Sequence, residues 1–387
     1  MPASRRILFG VFDWGLGHAT RDTPLIQALL SSGDQVEILS TGRALRVLQE
    51  RFGADCPLHD AVSVSPPYTK TRHFMASFIV SLPSMLISLN RARTATLKVI
   101  RQGRYDLVIS DCRYDVYDAV ENSILINHQL RFKAARTFQT AAEMWLARAM
   151  SKFGRIFVPD YEGPHNLSGL LSHRIKHFDL SRVRYLGILS HLNKTETEKD
   201  LDCFISLTGP EPQRSILERK VLLQVRDLCG RIVIAGGNPD ARQKEIAGNV
   251  EFYSYLGSQR QEEMMNRARF FISRSGYTSI MELAELGLSQ VLLVPTPGQT
   301  EQEYLGDYYE EQGLFHHVDQ DALRLKTDIA AAQGFKGFLP PWKTKETVRR
   351  FLAELEHFAS VRFAAAPAPE IGTVSLREDA GASAKVQ

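Results

Sequence analysis

Short apolar, β-branched runs alternate with segments of helical spacing along nearly the whole chain, and they do so in two successive series. Strand, helix, strand is the repeating unit of a parallel sheet, with right-handed crossovers that lay helices on its faces. In the first series the strand candidates are residues 6–12, 35–40, 106–110, 123–127, 155–158 and 184–190. Helical patterns cover 25–31 and 44–52, closed by Gly33 and Gly53. Another covers 74–97, where Pro83 predicts two helices or a kink. The second series follows the polar run from Asn193 to Asp200. Its strands are expected over 203–207, 231–235, 250–255, 270–273, 290–294 and 314–318, with helices near 214–228, 260–268, 278–286 and 301–312.

A chain of 387 residues exceeds what one ordinary core organises. The expectation is α/β, with two Rossmann-like domains facing a central cleft. The first spans 1–190 and the second 191–343, the layout of an enzyme that holds a nucleotide in one half and reacts in the other. A helix over 344–360 crosses back, and the Ala/Pro/Gly/Ser-rich tail 361–387 is too poor in apolar residues to fold. The formal net charge of +3, with basic and acidic residues interspersed, argues against a nucleic-acid binder working through a large basic surface. The four cysteines, Cys56, Cys112, Cys203 and Cys229, form no C-x-x-C pair, which fits a reduced cytoplasmic protein without structural zinc. No stretch approaches the ~20 apolar residues of a spanning helix, so the protein is expected to be soluble or peripheral to the inner face of a membrane. Residues Phe74–Leu82, with Lys70, Arg72 and Arg91 nearby, could dock on an anionic membrane, or could be ordinary core packing.

Two loops carry the chemistry. Phe12-Asp13-Trp14-Gly15-Leu16-Gly17-His18-Ala19-Thr20 follows the first strand, and Ser273-Arg274-Ser275-Gly276-Tyr277-Thr278 follows a later one. Each reads as a strand entering a turn that opens a helix, which leaves backbone N–H groups pointing outward for an anion. The first loop is not a dinucleotide fingerprint: Thr20 stands where the third glycine belongs, and the second strand ends in Ser40-Thr41-Gly42 without an acidic residue. Gly15 and Gly17 let backbone approach a ligand. His18 at the helix start is either a general base toward a hydroxyl or a cap on the turn. Asp111, at the carboxyl end of its strand, could orient that imidazole, or could begin a turn, with Asp115 and Asp118 as rivals.

In the second half, Arg274 and Ser275 suit a diphosphate at a helix N-terminus. Gly209 lies in another loop expected at the same sheet edge. Glu282 has two readings: Ser279-Ile280-Met281-Glu282 fits a capping box, and the same carboxylate could accept both hydroxyls of a ribose. Gln299, Glu301, Gln302 and Glu303 stand at a loop-to-helix junction, either to read sugar hydroxyls or as a solvated acidic helix start. No metal site is expected.

Taken in order over residues 6–320, these pieces resemble the two-domain GT-B glycosyltransferases. The likeness is to the MurG-like enzymes and, more distantly, the plant-type UDP-sugar transferases. Gly15-Leu16-Gly17-His18 resembles the family's glycine–histidine loop, Ser273 through Glu282 its donor-binding loop and helix, and Gln299–Tyr304 its sugar-contacting stretch. The resemblance implies a hexosyltransferase with a nucleotide-sugar donor, UDP-linked, and no metal or other cofactor. It gives His18 and Asp111 as base and orienting acid, and Glu282 as the ribose ligand. Ser275, Gly276 and Thr278 would lie at the donor loop, with Gln302 and Glu303 on the donor sugar. The acceptor, lipid-linked or small, is not implied: Asn127-His128-Gln129-Leu130 stands where the MurG-like pattern has His-Glu-Gln-Asn, and Thr208–Arg214 replaces a Gly-Gly-Ser-Gln-Gly loop. A nucleotide-sugar epimerase or hydrolase, or a non-catalytic sugar-nucleotide binder, would share these loops.

Overall fold

Seven strands form the first sheet, β1 (Arg6–Val11), β2 (Gln35–Ser40), β3 (Leu58–Asp60), β4 (Leu107–Asp111), β5 (Ser123–Ile126), β6 (Arg155–Val158) and β7 (Val183–Tyr185). The computed structural model describes residues 4–62, 74–131, 139–238, 241 and 243–365, with backbone alone at 74–83, 85, 86 and 361–365. The strands pair in the order β3-β2-β1-β4-β5-β6-β7, all parallel. The second sheet comprises β8 (Leu201–Ser206), β9 (Ile232–Ala235), β10 (Lys244–Ala247), β11 (Val250–Tyr253), β12 (Ala268–Ser273), β13 (Val291–Leu293) and β14 (His316–His317). Its order is β10-β11-β9-β8-β12-β13-β14, with β10 antiparallel to β11. In each sheet the chain reverses direction of winding once, between β1 and β4 and between β8 and β12. Open α/β sheets bind ligands in the crevice at such points, outside the carboxyl ends of the strands. Both loops singled out from the sequence start there.

The strands are apolar on both faces because helices cover both: β4 reads buried at every residue. One cluster of buried side chains runs from Ile7 and Phe9 through Phe204 and Phe271 to Phe351 and Leu355, so the two sheets share apolar packing. Between them the run 193–200 contains neither helix nor strand. It is held along helix α6 (Ser258–Arg267), where the Asn193 and Thr195 amides donate to Glu262 and to Asn266.

Several elements differ from the sequence expectations. The edge strands β3 and β10 are three and four residues long, too short to show alternation. Of the expected 184–190 strand only Arg184 and Tyr185 pair, in a strand that starts one residue earlier, at Val183. Beyond it the Leu186 amide still donates to Val158 O of β6, but Leu186 O accepts from the Trp342 indole and the Ser190 amide donates to Thr344, so the crossover segment takes over from the neighbouring strand. Residues 74–103 form one helix, α3, through Pro83, since the helical spacing continues on both sides of it. Helices α4 (Gln139–Met150) and α9 (Leu325–Ala332) have weak apolar stripes and were not foreseen. The crossover helix α10 extends over Thr344–Ala365, past the expected end at 360, because Ala364 and Ala365 favour helix. The rest of the tail expectation, and the side chains of the Phe74–Leu82 stripe with Lys70 and Arg72, lie outside the described residues. Among those residues no helix is long and apolar enough to cross a membrane.

Helix α1 (Gly17–Ser31) matters most for function. The apolar stripe begins only at Leu25, which hid the two polar turns before it. Those turns hold Arg21 and Asp22, both fully buried.

Candidate active site

Register places the first half of the site. Val11 pairs with Asp111 across β1 and β4, so the acid stands beside the strand that feeds the glycine loop. Gly15, at φ +119°, turns that loop in a conformation an L side chain rarely adopts, and Gly17 begins α1. His18 then meets Asp111: its Nδ1 donates to Asp111 Oδ2 at 2.6 Å. This bond leaves Nε2 with its lone pair. Burial lowers the His18 pKa more than the Asp111 charge raises it, so the imidazole is neutral at pH 7. Asp111 is fully buried. Against the cost of that burial, Arg21 and then His18 hold its carboxyl well below the usual range.

Arg21 binds the other oxygen, Asp111 Oδ1, through Nη2. Its Nη1 lies 3.1 Å from His128 Nδ1. A guanidinium has only donors, so His128 Nδ1 must accept and its Nε2 must carry the proton. That Nε2 donates to Glu301 at 3.2 Å, on helix α8 (Thr300–Glu311) of the second half. The ring also stacks on Tyr277, centroids 4.4 Å apart and planes 7° apart. Asp22, beside Arg21, has no hydrogen-bond partner among the described residues for either carboxylate oxygen. Burial and the neighbouring Asp111 push its carboxyl well above the usual range, against the opposing pull of Arg21. Cys112, at φ +54° after Asp111, donates to Asn127 at 3.3 Å. His18, Asp111 and Cys112 offer ligand atoms within 4.8 Å of one another, with both Asp111 oxygens already accepting, Oδ2 from His18 and Oδ1 from Arg21.

Across the cleft the second loop is built differently. Arg274 is 1% exposed and spends its donors on Thr208 O, Gln213 O, Val294 O, Pro295 O and the Gln320 side chain. It therefore braces three loops and does not point at a ligand, a correction to its expected diphosphate contact. Burial pushes its pKa down to about 10. Ser275 is likewise occupied, donating to Gln302 O at 2.8 Å. Helix α7 (Tyr277–Leu286) has Gly276 as N-cap and no side chain capping it, so its first-turn amides remain available to an anion. Thr278 faces the first loop: a methyl group at Gly17 would lie 2.7 Å from Thr278 Oγ1. Gly209, at φ +114°, lies over the Arg274 and Thr296 side chains.

Glu282 does not cap its own helix, which removes the capping-box reading. Burial pushes its pKa up to about 8. His191 Nδ1 is 3.7 Å away, but burial and then Arg51 push that imidazole down to about 4, so it brings no charge. Gln299, Gln302 and Glu303 do converge, on their own loop: Gln302 accepts from the Thr296 amide and donates to Gln299, and Glu303 accepts from the Gly298 amide. These bonds shape the turn before α8; they are the first task of the three side chains.

Comparison with known proteins agrees with this layout. The model for "Glycosyl transferase family 1" matches residues 5–123, and that for "Glycosyltransferase family 28 C-terminal domain" matches 210–333. Together they span well over half the chain, one on each sheet. The chain belongs to the GT-B glycosyltransferases. It is 25% identical over 335 residues to an uncharacterized glycosyltransferase of Methanosarcina mazei, covering 80% of this chain and 84% of that protein. Solved structures share the fold of this glycosyltransferase. The calicheamicin glycosyltransferase CalG4 superposes with TM-score 0.56 at 16% identity, over 95% of this chain and all of that one. The spinosyn rhamnosyltransferase SpnG, complexed with thymidine diphosphate, gives 0.59 at 14% identity over 93% and 99%. Acinetobacter baumannii MurG gives 0.51 at 11% identity over 93% and 98%.

Of the residues named from sequence, this GT-B enzyme brings His18, Asp111, Gly17 and Thr278 together at the cleft. Arg21 and Glu301 belong to the same cluster and were not given their place in it. Arg21 could have been found, since it follows His18 by three on one helix and so shares its face.

Proposed function

We propose that this glycosyltransferase moves a sugar from a nucleotide-sugar donor, UDP-linked, to a hydroxyl acceptor without a metal. The observation that carries the reading is the His18–Asp111 pair, with Nε2 unprotonated, beside the uncapped start of α7. The acceptor hydroxyl approaches from the first half and gives its proton to His18 Nε2 as its oxygen attacks the anomeric carbon. Asp111 fixes the tautomer and supports the imidazolium that forms. The bond from the anomeric carbon to the donor phosphate breaks, and the diphosphate leaves with the electron pair. Its charge is met by the α7 amides and the Thr278 hydroxyl, with backbone near Gly209 closing the other side. Glu282 takes the ribose diol, and Gln302 and Glu303 border the sugar. What supports UDP is the family likeness, not a base pocket.

The test is a thermal-shift panel of UDP, GDP, TDP, UDP-glucose and UDP-N-acetylglucosamine. Ligand at 100 times its Kd adds about 2.7 kcal/mol and raises the melting temperature visibly. A UDP-selective rise, lost in Glu282→Ala, is the expected result. A rise with TDP alone would reassign the nucleotide, and no rise with any of them would remove the donor reading.

A further inference from the structure

We propose that Arg21, His128 and Glu301 are positioning residues that tie the orientation of His18 to the donor-side helix α8, through one hydrogen-bonded chain crossing the cleft. The inference rests on His18 being the base. Each link admits one arrangement. Asp111 gives one oxygen to His18 and the other to Arg21. Arg21 can only donate, which makes His128 Nδ1 the acceptor and sends the His128 proton toward Glu301. The other His128 tautomer would set N–H against the guanidinium, a flipped ring would set C–H there, and Tyr277 stacked on its face removes the freedom to tilt away.

The far end is anchored as well. Three tyrosines of α8 bind the first half: Tyr304 Oη accepts from the Leu170 amide at 2.6 Å, Tyr308 Oη donates to Asn166 O at 3.2 Å, and Tyr309 Oη donates to Leu167 O at 2.7 Å. Glu301 therefore occupies a fixed position only while α8 is docked. Between Gln299 and Gln302, Glu301 sits in the turn read as bordering the donor sugar. A base whose orientation depends on that turn is assembled together with the donor site, which limits attack by water before the donor is in place.

Histidine-selective 15N labelling of the full chain, read in a long-range 1H–15N spectrum, tests this; His18→Ala assigns the signal. The parent should show His18 with protonated Nδ1 and bare Nε2. Glu301→Ala releases His128 and, through it, Arg21, so the His18 Nδ1 signal, which reads the bond to Asp111, should shift from its parental position while the tautomer stays set by Asp111. Glu301→Gln, whose carbonyl still accepts from His128, should restore the parent signal, which a general loss of stability would not do. Were Glu301→Ala not to fold, His128→Phe, which keeps a ring on Tyr277 and can neither accept from Arg21 nor donate to Glu301, makes the same prediction. An unmoved His18 signal in a folded variant overturns the chain. A parent His18 protonated on Nε2 instead overturns the base reading, whatever Glu301 does.

Discussion

The two switch-point loops have the same backbone plan and opposite uses of side chains. At the first, His18, Asp111, Arg21 and His128 are polar side chains joined by hydrogen bonds through Asp111 to one imidazole, His18. At the second, Arg274 and Ser275 turn inward to carbonyls, and what remains at the surface is backbone at the start of α7. A proton must be taken at one atom, which needs a side chain of chosen pKa and tautomer. A diphosphate spreads its charge over several oxygens, which suits an array of amides held rigid from behind. Rate and donor affinity should therefore separate between the loops.

The largest effects test that separation. His18→Ala should lower kcat about 10³-fold while leaving the UDP-induced rise in melting temperature as in the parent. Transfer at the parental rate would take His18 out of the mechanism. Asp111→Asn should combine a similar loss of rate with a stability loss of about 3–5 kcal/mol by urea unfolding, because Arg21 is left buried without its counter-charge. Arg274→Met acts from the other side. It strands four backbone carbonyls and should cost about 3 kcal/mol of stability and weaken UDP binding, with the His18 tautomer unchanged. If instead UDP affinity holds and only rate falls, the division of labour between the loops is wrong.

A smaller effect probes where the loops touch. Gly17→Ala should cost about 1–3 kcal/mol, since its methyl would lie 2.7 Å from Thr278 Oγ1 and 3.1 Å from Thr278 Cβ. Thr278→Ala should relieve part of that cost, because it removes the nearer atom and keeps the other. Additive losses in the double variant, measured by urea unfolding, would mean that the contact does not govern the strain.

The sequence made the two-sheet α/β plan legible because parallel strands buried on both faces read as unbroken apolar runs. It was legible for His18 and Asp111 because each stands directly beyond such a run. It failed at Arg274, where a charged residue in a donor loop looks like a ligand contact until its partners are known. All five are separated from it by at least 20 residues of sequence. It failed also at the first turns of α1, because buried polar residues carry no periodicity of their own. The partners of His128 lie 107 residues before it and 173 after it, and no local pattern joins them. Side chains whose role is set by long-range partners are visible only after folding.

Glu282 offers the finest test, because the other acid of α7, Glu285, is already taken by the amide and hydroxyl of Thr344. In the folded chain its pKa is about 8, against an ordinary value of 4.5. Below pH 4.5 both states hold the proton and the contribution is fully present. As pH rises the unfolded carboxyl ionises first, so stability from this group falls and is lost by about pH 8. The difference in unfolding free energy between parent and Glu282→Gln should follow that curve between pH 4 and 9. Ribose hydroxyls donating to Glu282 would favour its ionised form, so UDP binding at pH 7 should release a fraction of a proton. Calorimetry in two buffers of different ionisation enthalpy reads that release directly. The release should vanish in Glu282→Gln; if it persists there at full size, the proton comes from elsewhere and Glu282 does not hold the ribose.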